Sequence, residues 1–339
     1  MSAITAGGDL VHYEVLGRGR PVIMVHGWIG SWRYWIPTLQ HLQSKYRLYA
    51  LDLYGYGDSA KNPGKYNIEH QIALLEDFMN QLAITKAAFI GHGLGALVAA
   101  EFARRYPDRI PRLIVVSAPL FDPGDLERRA PVVRKVAAQR PLLPTQPESS
   151  PNAETVMSAS AAMRAALVEA ARARLNGQLP AELEEMTLSR EAVATPTHNP
   201  LLPLMDVNTP DSLLARCFRR AETNYEKLAV DTAKTDGRVL RRSVEHFDSG
   251  RMLDTLRLLN SPVVAIHGLD DPLMPAPRDE VLNYLTNEKE HILVPVLLPS
   301  VRHFPMLEDE RFFRMINDYL DTADISKVEL KERWRRRTR

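Results

Sequence analysis

Ala87-Ala88-Phe89-Ile90-Gly91-His92-Gly93-Leu94-Gly95-Ala96-Leu97-Val98-Ala99-Ala100 decides how this chain is read. A short apolar run passes through a glycine-punctuated turn into an alanine-rich, helix-favouring segment, which predicts a strand, a sharp turn and a helix. The residue at the apex of the turn is Gly93. Glycine there removes the backbone strain of a sharp turn and leaves no side chain to do chemistry.

On the N-terminal side, Leu10–Val15 alternates apolar and polar positions and Leu16–Arg20 turns the chain back, predicting an antiparallel hairpin. Pro21–Val25 is a continuous apolar run suited to a strand buried on both faces, and it ends in His26-Gly27-Trp28-Ile29-Gly30. A helix over Tyr34–Lys45 is expected next, with Trp32, Tyr34 and Trp35 as core aromatics, followed by a strand over Tyr46–Asp52. Ile68–Leu82 has apolar residues at helical spacing, Ile72, Leu75, Phe78, Met79 and Leu82. Leu113–Ser117 is the strand after the helix that Leu94–Ala100 begins. Strand alternating with helix across Pro21–Ser117 predicts a mostly parallel sheet covered on both faces.

The pattern changes between Leu120 and Leu258, where buried-strand runs nearly vanish. Ala153–Leu175 and Ser212–Ala233 read as long helices, joined by proline-rich loops such as Arg140–Pro147 and Pro196–Pro203. Sheet-like sequence returns at Ser261–Pro275, and His291–Leu298 is the last strand. The expected organisation is a core over 1–120, a helical cap over 121–258, a second core segment over 259–325 and a basic tail over 326–339.

Composition sets the class. The chain has 339 residues, 45% hydrophobic and 25% charged, with a net charge of +1, an ordinary globular balance that gives no reason to expect nucleic acid. Its single cysteine, Cys217, allows no internal disulfide and no cysteine-based metal cluster. Met1–Asp9 lacks the pattern of a secretory signal, and no run of about 18 apolar residues suggests a membrane span. The cytoplasm is the expected compartment. The segment Lys327–Arg339 carries seven basic and two acidic side chains around Trp334, a local excess suited to an anionic membrane surface or a partner protein, or to a solvated helix end.

Five stretches together resemble the α/β-hydrolase superfamily. Gly91–Gly95 is similar to its nucleophile elbow, Gly-x-Ser-x-Gly, with Gly93 in the serine position. His26–Gly30 resembles its His-Gly turn, so the resemblance implies an oxyanion hole from the backbone N–H groups of Trp28 and Leu94. Gly268-Leu269-Asp270-Asp271-Pro272-Leu273-Met274-Pro275 resembles the loop of the catalytic acid and maps that acid to Asp271. Ser300–Glu308 resembles the histidine loop and maps the catalytic histidine to His303. Asp52–Ser59 resembles a structural turn of the same family, which gives Asp58 and Ser59 a structural role. The implied fold is α/β, with a mostly parallel sheet flanked by helices and an inserted helical cap.

Gly93 has no oxygen or sulfur, so the acyl-enzyme route of the family is closed there. Asp271 and His303 are expected to work as an oriented general base on a water that replaces the missing side chain. Enzymes of this type lacking a triad member keep about 10³–10⁴-fold acceleration over water, which suits an intrinsically labile small molecule. Gly91–Val98 is also similar to the elbow of the aminoacrylate hydrolase of pyrimidine degradation, in which alanine replaces serine. Three alternatives stay open: a non-catalytic binding protein like the N-myc downstream-regulated group, a proton-transfer enzyme using His303 alone, and a serine esterase-type hydrolase whose nucleophile has been replaced by Gly93. Ser117, Cys217 and His92 read as structural. No metal-ligand spacing and no glycine-rich phosphate loop is present, so neither metal nor cofactor is expected.

Overall fold

The computed structural model describes residues 2–129, 198–287 and 292–322. The predicted helix over Ala153–Leu175, the loop over Arg140–Pro147 and the basic tail lie outside them, as does the start of the Pro196–Pro203 loop.

The strands are β1 (Ser2–Ala6), β2 (Asp9–Gly17), β3 (Arg20–Val25), β4 (Tyr46–Leu51), β5 (Ala88–His92), β6 (Leu113–Val116), β7 (Val263–Gly268) and β8 (Leu293–Leu298). They form one eight-stranded sheet in the order β1-β2-β4-β3-β5-β6-β7-β8. Pairing is antiparallel for β1/β2 and β2/β4 and parallel from β4 to β8. All residues of β5, β6 and β7 are buried, as continuous Val, Ile and Phe runs in a parallel sheet require.

The expected hairpin is corrected. The turn at Leu16–Arg20 does not lay β3 beside β2, because β4 inserts between them, pairing Leu16 with Leu48 on one side and Val22 with Leu48 on the other. The hairpin is instead β1/β2, turned at Gly7 and Gly8, both at positive φ.

In the first half the helices are α1 (Ile36–Leu42), α2 (Ile68–Gln81) and α3 (Leu94–Arg105). The Tyr34–Lys45 expectation becomes a short 3₁₀ turn over Trp32–Trp35 and then α1, which begins where Pro37 supplies the preset φ of a first turn. Asn67 caps α2 by accepting from the His70 amide at 3.0 Å. Its apolar stripe, Ile72, Leu75, Phe78 and Met79, is fully buried. Between β6 and β7 no strand occurs among the described residues, only α4 (Leu126–Arg129), α5 (Leu201–Asp206), α6 (Pro210–Cys217), α7 (Thr223–Thr232), α8 (Arg238–Val244) and α9 (Ser249–Leu258). After β7 come α10 (Asp279–Thr286), α11 (Pro305–Glu308) and α12 (Arg311–Asp321).

The expected single helix over Ser212–Ala233 is two, α6 and α7, broken at Phe218, whose backbone is extended. Long-range partners hold the break open. Arg302 lies 4.7 Å over the Phe218 ring and pairs with Glu222 at 2.7 Å. No helix among the described residues is long and apolar enough to cross a membrane.

Candidate active site

The elbow forms as its glycines require. Gly93 sits between β5 and α3 at φ 51° and ψ −110°, a region that side chains rarely adopt. Its amide donates to the Val116 carbonyl at 2.9 Å, tying the turn to β6. Leu94 opens α3, so its N–H belongs to the first turn, where helical amides have no carbonyl partner of their own. The turn after β3 lies against this corner: a Cβ built on Gly93 would stand 3.5 Å from the Gly27 Cα and 3.2 Å from Cε3 and Cζ3 of Trp28.

Asp271 and His303 meet. His303 Nδ1 is 2.8 Å from Asp271 Oδ2, and Asp271 Oδ1 accepts from the amides of Leu273 at 2.8 Å and Met274 at 2.9 Å. Burial opposes ionisation of Asp271, yet the His303 ring and those amides hold its carboxyl below the ordinary value. A carboxylate at Nδ1 fixes the proton on that nitrogen and leaves the Nε2 lone pair free. His303 is 1% exposed, and no protein group hydrogen-bonds its Nε2.

His92 has a role that its sequence position did not reveal. Its Nε2 donates to the His303 carbonyl at 2.8 Å, while its Nδ1 accepts from the Tyr34 hydroxyl at 2.9 Å. Tyr34 in turn accepts from the Gly27 amide at 2.6 Å. One chain of hydrogen bonds thus joins the turn before Trp28, the residue before Gly93 and the backbone of His303. Ser117 adds a second donor to the His303 carbonyl at 3.1 Å. The His92 and His303 rings contact each other directly, centroids 4.6 Å apart, and Phe304 packs against both, its centroid 5.1 Å from each. Little of this was legible locally, because the donors to the His303 carbonyl, His92 and Ser117, lie 211 and 186 residues away.

The remaining candidates are accounted for by packing. Ser59 accepts from the His12 amide and donates to the Asp52 carbonyl, and Asp58 pairs with Arg33 and Lys234. His12, Asp52 and Asp58 bring ligand-type atoms within 4.8 Å of one another. The Asp58 oxygens already hold two cations and Asp52 accepts from the amides of Trp32 and Asp58, a poor donor set for an added metal. Tyr34 and Trp35 are core, and Cys217 is buried, which pushes its thiol well up and away from reactivity.

Three of the buried histidines besides His303 make the fold acid-sensitive. Burial pushes His26, His92 and His267 below the ordinary 6.5, so each is neutral in the folded chain. The unfolded chain binds a proton at each of these positions below about pH 6.5, whereas the folded chain does so only at lower pH. Stability is therefore complete above that value and falls as pH drops below it. Urea unfolding at pH 7.5, 6.0 and 5.0 is expected to show this decline. A flat profile across that range would mean the three rings are protonated in place.

The alpha/beta hydrolase fold family matches residues 20–296, and the chain belongs to that family. It is 37% identical to mouse (Mus musculus) epoxide hydrolase 4 over 120 residues, 34% of this chain and 33% of that protein. It is 35% identical over 112 residues to the pimeloyl-[acyl-carrier protein] methyl ester esterase of Vibrio campbellii, 33% of this chain and 42% of that one. The aligned parts thus span well under half the length of these relatives. Among solved structures, an esterase from Exiguobacterium antarcticum matches over 95% of this chain and 99% of its own with a TM-score of 0.62 and 16% identity, a likeness of fold.

Proposed function

We propose that the chain hydrolyses a small, reactive carbonyl compound, ester-, carbamate- or enamine-like, by water activation rather than through a covalent intermediate. The observation that carries the reading is the buried His303 Nε2, aligned from behind by Asp271 and met by no protein group. In this reading a water beside Gly93 gives its proton to Nε2 as its oxygen bonds to the carbonyl carbon. The developing oxyanion accepts from the amides of Trp28 and Leu94. Collapse of the tetrahedral adduct breaks the bond to the leaving group, which takes the proton back from His303. The family membership supports hydrolase chemistry, and the relatives' names, epoxide hydrolase and methyl ester esterase, supply two electrophile classes for comparison.

The indole packed beside Gly93 favours a second reading, a site that binds without turnover. Two measurements separate them. In the first, a panel of activated esters, enol esters, carbamates and epoxides is assayed with the parent chain and His303→Ala. In the second, fluorophosphonate labels the parent, Gly93→Ser and Gly93→Ser/His303→Ala. Turnover of an activated carbonyl compound lost in His303→Ala, with labelling confined to Gly93→Ser, is the expected result. An absence of His303-dependent turnover across the panel would leave the binding reading in its place.

A further inference from the structure

Trp28 is fixed at both ends. Its backbone follows Gly27, whose amide the Tyr34 hydroxyl holds, and its indole lies beside Gly93, with Cε3 and Cζ3 each 3.2 Å from where a Cβ would stand. Carbon atoms in contact ordinarily rest about 3.5–4.0 Å apart, so the ring encroaches on the space that a nucleophile side chain needs. At the other end of the indole, Nε1 donates to Ser243 Oγ at 3.0 Å. Ser243 lies on α8, among the helices between β6 and β7, and its hydroxyl donates to the Leu240 carbonyl at 3.0 Å. The hydroxyl, which also lies beside the buried Tyr56 hydroxyl, accepts from the indole while its own proton goes to Leu240, and this favours one orientation of the ring. Both side chains are 1% exposed, so no solvent competes for this bond.

We infer that Ser243 is a positioning residue which, through Trp28, sets the size of the space at Gly93. The ring wall reserves that space for a molecule no larger than water, so that nucleophile and substrate carbonyl are sorted by size at the elbow. The inference rests on the water-based reading above for its function, but the geometry is testable without turnover. An inserted helix thereby shapes the elbow directly, through one hydrogen bond.

The test uses Gly93→Ser as a probe, because the introduced side chain must share the space with the indole. Fluorophosphonate labelling rates are measured for Gly93→Ser alone, with Ser243→Ala, with Trp28→Phe and with both. Ser243→Ala frees the ring. Trp28→Phe keeps an aromatic face, shortens it and deletes the N–H, while leaving Ser243 its bond to Leu240, so it covers the case in which an unpaired indole N–H prevents folding. Each second substitution is expected to raise the labelling rate about tenfold, and the two together no further than either alone. In the parent Gly93 background, Ser243→Ala is expected to lower kcat for an activated ester about tenfold with KM changed less than twofold, and Ser243→Thr to restore it. Labelling rates within twofold of Gly93→Ser in both folded variants would overturn the inference. Faster labelling without any parent turnover would keep the positioning role and remove only the hydrolytic reading.

Discussion

Asp271→Asn is expected to reduce turnover of an activated ester by about 10²-fold while leaving the fold intact. In the parent both carboxylate oxygens accept, Oδ1 from the amides of Leu273 and Met274 and Oδ2 from His303 Nδ1–H. A carboxamide offers one acceptor and one donor. The two amides claim the acceptor, because turning the group round would set an NH₂ against two N–H donors. The NH₂ then faces Nδ1 and donates to it, which moves the imidazole proton to Nε2. A protonated Nε2 cannot take a proton from water, so the base is lost with hardly an atom displaced. KM is expected to change little, since Asp271 touches the substrate only through His303. Fluorophosphonate labelling in the Gly93→Ser background gives a second readout of the same base and is expected to fall in parallel. Turnover and labelling both within threefold of the parent would take Asp271 out of the mechanism.

The parts of the molecule legible in the sequence are those where backbone geometry dictates residue type. Gly93 was readable as a sharp turn because its φ of 51° suits little else. The acid loop was read by resemblance, and the structure gives the reason for its glycine: a Cβ at Gly268 would stand 2.2 Å from the Val301 carbonyl, in the segment that leads to His303. Continuous apolar runs identified β3, β5, β6 and β7, since a strand buried on both faces has no polar side to show. What escaped depends on partners chosen by the fold. Nothing in Leu16–Arg20 says that β4 inserts between β2 and β3, because turn chemistry reverses a chain without naming its neighbour. The periodicity across Ser212–Ala233 runs through Phe218, and the break is held by Arg302, 80 residues from Glu222. For the same reason His92 read as structural and the Trp28 indole was given no role: their hydrogen-bond partners, His303 and Ser243, are 211 and 215 residues away.

Gly95→Ala is expected to destabilise the fold by roughly 3–4 kcal/mol, against what helix propensity alone says. Gly95 is inside α3, where alanine is favoured over glycine by about 1 kcal/mol. A Cβ at Gly95, however, would meet the Val25 carbonyl oxygen at 2.2 Å, the Val25 carbonyl carbon at 2.6 Å and the His26 oxygen at 2.7 Å. All three are backbone atoms of β3 and the turn after it, so no rotamer change relieves the clash and α3 has to move away from β3. The same close crossing brings the Leu94 amide beside the His26–Trp28 turn, so a methyl group added at Gly95 is expected to disturb the proposed oxyanion site as well as stability. Gly237, before α8, supplies the control: its φ is −53° and nothing lies within 4 Å of its Cβ position. Gly237→Ala should be neutral or stabilising by about 0.4–1 kcal/mol, because it only restricts the unfolded chain. Urea unfolding of the two variants beside the parent decides between propensity and packing. Equal midpoints would mean that α3 does not cross β3 as closely as these distances require.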